Sequence, residues 1–398
     1  MLAPLARSTP GRILFLLSLA ELMGMSPWFA ASAVAPQLAA RWGLSAAQSA
    51  ALTSSVQLGF VAGTATAALL NLADLFSARF YFAASALLAA IANLLLLAVP
   101  GYGAALACRF ATGFFLAGVY PPAMKMIATW FRERRGLAIG TLVGALATGK
   151  GLPYLVKALG GARPEIVLLA TSTLAALAAL LVGLIYRDGP FPFARRAFSW
   201  RLVGTVVGHR ETRLAIGGYL GHMWELYAMW TWVPVFLIAS FAAHGSGASS
   251  ERMQVVAELI AFATLLAGGI GCVWGGWAAT RFGYARVVTW SMLASGACCI
   301  GAAALFGAQP WLVILFVAIW GFFVVADSAQ FSAMVTESAP PHAVGTALTL
   351  QTSSGFLLTL VTIQTVPWIA SALGWRWAFP LLALGPLAGI AAIRGLRR

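Results

Sequence analysis

Twelve stretches of this chain are each long enough and apolar enough to cross a bilayer, and a chain built of such stretches has few ways to fold. They lie near 13–38, 48–72, 79–99, 103–128, 136–159 and 165–186, and again near 214–240, 253–279, 285–307, 311–335, 343–370 and 376–394. A membrane-crossing helix needs about 20 predominantly apolar residues. In hydrocarbon every backbone N–H and C=O must be paired within the protein, which favours helices for runs of this length. The expectation is an all-α membrane protein of twelve transmembrane helices. Composition agrees, since 61% of the 398 residues are hydrophobic and 9% charged, whereas soluble domains carry about 25% charged residues.

The net charge of +14 would suit a nucleic-acid binder if the cations clustered on one soluble face or tail. They do not. They fall in short loops between apolar runs, and they fall on alternate sides. With the N-terminus inside, the inner loops and tails collect Arg7, Arg12, Arg79, Arg132, Arg134, Arg135, Arg281, Arg286, Arg394, Arg397, Arg398 and the arginines of the 187–213 interval. The outer loops receive Arg41, Arg163, Arg252 and Arg376. This bias places both termini in the cytoplasm with an even number of spans. The polar interval divides the chain into an N-terminal six-helix half, 1–187, a cytoplasmic linker, 188–213, and a C-terminal six-helix half, 214–398. The expected setting is a multi-pass plasma membrane, the bacterial inner membrane, with a monomer in the lipid bilayer and no nucleic-acid partner.

Cys108, Cys272, Cys298 and Cys299 lie in apolar runs without C-x-x-C spacing, so neither a disulfide framework nor a thiolate metal site is indicated. No metal or cofactor is expected. The basic N-terminus precedes an apolar stretch too long for a signal-peptide core, which reads as a retained first span.

The stretch from Arg109 to Lys157 places four cations, Arg109, Lys125, Lys150 and Lys157, in or beside apolar runs. Each charge at mid-membrane costs about 2.5–3.5 kcal/mol on insertion scales, so a group of them marks a solute path or paired partners. Lys125 and Lys157 lie near span ends and are expected to snorkel to the interface. Lys150 falls near mid-membrane and is the expected contact for an anionic solute. Arg109 is either a second such contact or the partner of Glu21.

Two loops resemble one signature. Leu70 to Arg79 and Gly276 to Arg286 are similar to the G-x-x-x-D-R-x-G-R-R motif of the major facilitator superfamily, in corresponding loops of the two halves. The first copy keeps Asp74 and Arg79 but has Leu70 and Ser77 at the glycine positions; the second keeps Gly276, Arg281 and Gly283 but has Thr280 in place of the acid. Pro27 and Pro234 keep nearly the same offset as Asp74 and Thr280, the mark of an internal repeat. Arg109 to Gly113 resembles the R-x-x-x-G motif of the same superfamily, and Trp130 to Gly136 resembles its tight turn between spans four and five. Span five lacks the G-P-x-x-G-G pattern of drug–proton antiporters and carries Lys150 instead. Similarity to nitrate and cyanate permeases is loose.

The resemblance implies two pseudo-symmetric six-helix bundles, a cavity lined by spans one, four, seven and ten, and a cytoplasmic gate. It assigns that gate to Asp74, Arg79, Arg132, Arg134, Arg135 and Arg281. Within the cavity His222, Trp224, Tyr227, Tyr154 and Gln330 join Lys150 and Arg109 as candidate solute contacts, and Glu225, Asp327 and Glu21 are candidate proton carriers. His222 and Glu225, three apart on one helix face, form either a hydrogen-bonded pair or, with less support, half of a metal site. Trp224 and Tyr227 either stack on a solute or simply pack. Gly144 to Gly151 approaches the phosphate-loop spacing but has Gly151 where Ser or Thr is required. The expected function is therefore not that of an enzyme but of a proton-coupled secondary transporter of a small solute, an anion favoured, working by alternating access. Efflux of amphipathic or cationic compounds and a non-transporting receptor are the alternatives.

Overall fold

Where one continuous first span is expected over 13–38, the chain forms three helices. In the computed structural model, which describes residues 9–70, 72–132, 134–160, 163–191, 199–245 and 249–396, α1 runs Pro10–Gly24, α2 Ala30–Ala33 and α3 Ala35–Trp42. Proline is the physical reason: Pro27 and Pro36 supply no N–H and crowd the preceding turn. The freed groups are partly paired on the spot. Met25 N–H donates to Glu21 O at 3.0 Å, and Ser26 Oγ donates to Met23 O at 2.7 Å and to Thr171 O at 3.1 Å. Other carbonyls of the break must find donors on neighbouring helices.

The next helices are α4 (Ala46–Leu69), α5 (Leu72–Leu75), α6 (Ala78–Leu95), α7 (Tyr102–Leu116), α8 (Tyr120–Ala128), α9 (Arg135–Gly160) and α10 (Pro164–Ile185). A capping box starts α4, with Ser45 and Gln48 each accepting the other's backbone N–H. After the polar interval, which holds α11 (Val203–Gly208), come α12 (Arg210–Ala243), α13 (Ser250–Phe282), α14 (Tyr284–Leu305), α15 (Pro310–Ala326), α16 (Ser328–Ser338), α17 (Val344–Leu373) and α18 (Leu384–Gly395). Among the described residues eleven helical segments are long and apolar enough to cross a membrane. The broken first segment is the expected span that falls outside this set, α1 having 15 residues. Three crossings are themselves interrupted, α7/α8 ahead of Pro121 and Pro122, α15/α16 at Asp327, and the last, in which 3-10 turns at Trp375–Trp377 and Pro380–Ala383 precede α18. By contrast α9, α12 and α17 continue through Pro153, Pro234 and Pro367.

Two long contacts join parts of the chain that are far apart in sequence: α9 lies along α13, and α4 along α17. Small residues set the first spacing. A Cβ added to Gly140 would lie 2.6 Å from Cys272 O, and one added to Gly144 2.5 Å from Gly269 O, so both glycines are needed for backbones this close. Around these contacts α1 packs on α9 and α10, α7 on α4 and α6, and α12 on α17 and α18.

Candidate functional site

Lys150 stands where α9 faces the broken first segment and α12. Its side chain is buried, and its ammonium lies 3.8 Å from the ring centre of Trp28, 4.7 Å from that of Tyr227 and 5.9 Å from that of Trp230. It also donates to the Tyr227 hydroxyl. A desolvated cation on aromatic faces gains about 2 kcal/mol, which offsets part of its burial. The rings continue outward: Trp28 meets Phe60 at 5.1 Å, Phe60 meets Phe356 at 4.5 Å and Tyr227 meets Phe356 at 5.2 Å. The box thus takes walls from α4, α12 and α17 as well as from the break after α1.

On the segments that form this box are buried polar atoms that make no hydrogen bond within the described residues. Both Glu21 oxygens, both Gln57 amide atoms, Trp28 Nε1, Trp230 Nε1, Tyr154 Oη and Gln351 Oε1 are among them. Glu21 is close enough for its charge to act on Lys150. Leaving such a group unpaired costs about 1–3 kcal/mol, so these atoms have hydrogen bonds to offer a polar solute. Tyr154, a sequence candidate, joins the box through Phe29, at 6.1 Å between ring centres.

The acids of α12 and α15/α16 form two separate arrangements. His222 Nδ1 lies 2.9 Å from Asp327 Oδ1, a close contact without good hydrogen-bond alignment, and His222 Nε2 has no partner among the described residues. Glu225 accepts from Trp320 Nε1 at 2.5 Å and Ser295 Oγ at 2.9 Å, with the Cys299 thiol as a further partner. The expected hydrogen bond between His222 and Glu225 is therefore corrected: residues three apart on one face diverge because the first meets α16's start and the second meets α14 and α15. Among the described residues no group of three or more His, Cys, Asp or Glu is arranged to hold a metal ion. Trp224, expected in the cavity, instead directs Nε1 to Leu381 O at 3.4 Å, beside α18. Gln330 follows Asp327 in the first turn of α16, its Oε1 also unpaired.

Arg109 lies elsewhere. It donates to Pro27 O at 3.1 Å, to Asn93 Oδ1 at 3.0 Å and to Trp28 O, and does not pair with Glu21. The reason is the break in the first span, which turns the carbonyls of Pro27 and Trp28 toward Arg109, Pro27 O also accepting the Ala30 N–H at 3.2 Å. Asn93 is held in turn by Thr171 Oγ1 at 3.1 Å and Ser172 Oγ at 3.0 Å. Lys157 does not snorkel either: it is buried, donating to Glu258 Oε1 and to Ala33 O, both at 2.6 Å. Sequence reasoning missed Asn93, Trp28, Trp320 and Glu258. An asparagine within 79–99 and an acid within 253–279 were the available signals.

At the opposite end of α9 the basic turn packs on the second signature loop. A Cβ on Gly276 would lie 2.6 Å from Gly136 O, and one on Gly136 3.8 Å from Thr280 Cγ2. Arg135 is close enough to act electrostatically on Tyr284, and Arg134 takes the left-handed conformation, φ 55°, that closes the turn. Arg79 donates to Tyr186 O at 3.3 Å, while Arg132 lies over Phe191 and Arg281 over Phe282. The Asp74 side chain, Glu133, Arg7, Arg195, Arg196, Arg397 and Arg398 lie outside the described residues.

A helical membrane bundle with a charged, aromatic-walled cluster between its packed helices is the architecture of a solute carrier. The profile of the Major Facilitator Superfamily matches residues 16–250, more than half of the chain. The chain belongs to that superfamily and is a small-solute transporter. Among solved structures, the crystal structure of a mutant of the nucleoside transporter NupG superposes with a TM-score of 0.72, over 97% of this chain and 100% of that one, at 16% sequence identity. Since 304 chains of solved structures match, this likeness defines the fold and leaves the cargo to the site. No curated protein matches the sequence.

Proposed function

We propose that the protein is a proton-coupled secondary transporter for a small solute that presents an anionic or strongly accepting group on a planar body. The observation that carries this reading is Lys150 in its aromatic box. The ammonium meets the accepting group, the rings take the planar body, and Gln57, Tyr154 and Gln351 supply hydrogen bonds. Arg109 is committed to backbone carbonyls, so in this reading it shapes the site and does not touch the solute.

Alternating access proceeds between halves 1–187 and 214–398, joined by 188–213, with the broken first segment as a twelfth crossing and both termini cytoplasmic in a bacterial inner membrane. The chain works as a monomer. Protons bind at Glu21, Asp327 and Glu225; His222 shares the first contact of Asp327. The basic turn with Arg79 and Arg281 forms the cytoplasmic gate, meeting the second signature loop.

The test is a thermal-shift screen of purified protein over planar carboxylates, inorganic anions, nucleosides and lipophilic cations. Planar acids are expected to raise the midpoint of the wild type and to leave Lys150→Ala unmoved. Stabilisation by lipophilic cations alone, or equal stabilisation of Lys150→Ala, contradicts the reading.

A further inference from the structure

Two buried cations hold the break in the first span from opposite ends. At its start Arg109 donates to the carbonyls of Pro27 and Trp28, and is tied to α6 through Asn93. At its finish Lys157 donates to Ala33 O, the last residue of α2, at 2.6 Å. The second tie is not confined to the first part of the chain. The same ammonium meets Glu258 Oε1 on α13, and both side chains are buried, with 4% and 6% of their surface exposed. Glu258 Oε2 makes no hydrogen bond among the described residues.

Between these ties lie Trp28 and Phe29, which wall the Lys150 box. Phe29 stands 6.4 Å from both Tyr227 and Trp230, and Trp28 covers the ammonium itself. The segment has little helical structure to hold it there. Its backbone bonds are single turns, Trp28 N–H to Met25 O, Ala30 N–H to Pro27 O and Ala33 N–H to Phe29 O. Isolated turns are unstable without tertiary support.

We propose that Glu258, acting through Lys157, is a positioning residue of the solute site: it fixes the Ala33 end of 25–34 so that Trp28 and Phe29 stay over Lys150. This rests on the transport reading above. When α9 and α13 part at this level, Lys157 loses its carboxylate, the segment loses its second tie, and the site opens toward that end. A contact made in one conformation and absent in another biases their equilibrium by the difference it makes. A fixed structural pair would stabilise both conformations alike.

Hydrogen–deuterium exchange of the full chain in detergent micelles tests this without a solute. In Glu258→Gln, amides of 25–34 are expected to exchange about tenfold faster than in the wild type, because a buried cation left without its partner is strongly disfavoured. Peptides from α6 and α18 are expected to stay as protected as before. Lys157→Met gives the same local pattern, and Lys157→Arg retains protection. Acceleration confined to α13, or spread evenly over α6 and α18, overturns the proposal. Should Glu258→Gln fail to fold, Glu258→Asp, which keeps the charge but shortens its reach, is read by the same criteria. Exchange reports the tie and thermal shifts report the solute, so failure of one is distinct from failure of the other.

Discussion

A guanidinium buried in a membrane protein must find acceptors for its N–H groups, and Arg109 finds two carbonyls and an amide. Arg suits this task because its fork reaches two carbonyls at once, where an ammonium on a flexible stem offers a single point. Arg109→Met leaves Trp28 O and Asn93 Oδ1 without their donor and takes one of two donors from Pro27 O, and is expected to cost about 3 kcal/mol or more, read as a lower unfolding midpoint. Ligand-induced stabilisation should weaken as well, since Arg109 holds Pro27 and Trp28 in the wall of the proposed site. The sequence marked Arg109 as a cation in an apolar run but left its destination open between solute and Glu21. Glu21 is not its partner; the carbonyls it meets become available only once the first span has broken. Lys157 repeats the lesson: its position near a span end suggested the interface, and the α2 carbonyl and Glu258 drew it inward.

Helices are legible here through their lengths, and breaks less so. Eleven of the twelve expected crossings have counterparts among the described residues, at nearly the expected places. Proline alone does not tell a break from a continuous helix: Pro153, Pro234 and Pro367 sit within unbroken α9, α12 and α17, while Pro27 marks a rupture. At the Pro27 break the carbonyls of Pro27, Trp28 and Ala33 meet Arg109 and Lys157, donors that come from elsewhere in the fold. Close approach follows the same rule. A Cβ on Gly149 would strike the backbone of Leu22, including its carbonyl oxygen. Gly149→Ala is therefore expected to push α1 from α9 and to destabilise by about 1–3 kcal/mol, measured as a lower midpoint, and to weaken solute binding at the adjacent Lys150.

For the molecule as a whole, coupling means that a proton changes which conformation is favoured. Under the proposed function Asp327 is the candidate for this: it lies between α15 and α16 and meets His222 on α12. Removing its charge is expected to separate drive from movement. In proteoliposomes, Asp327→Asn should still exchange labelled for unlabelled solute across the membrane, yet fail to accumulate it under an imposed pH gradient. Retained accumulation assigns the proton to another acid. The positions of these acids were visible beforehand, Asp327 and Glu225 standing out in apolar runs, but their partners on α12, α14 and α15 depend on how helices distant in sequence are turned toward each other.

The indole of Trp28 lies 3.8 Å from the Lys150 ammonium, and under the proposed function this sets how the site can be entered. One side of the cation is already faced by a ring, so a solute's accepting group arrives from another side while its planar body lies against the rings. With no solute bound, the same ring keeps the charge partly sheathed. The empty transporter can then reorient without carrying a bare cation through the membrane.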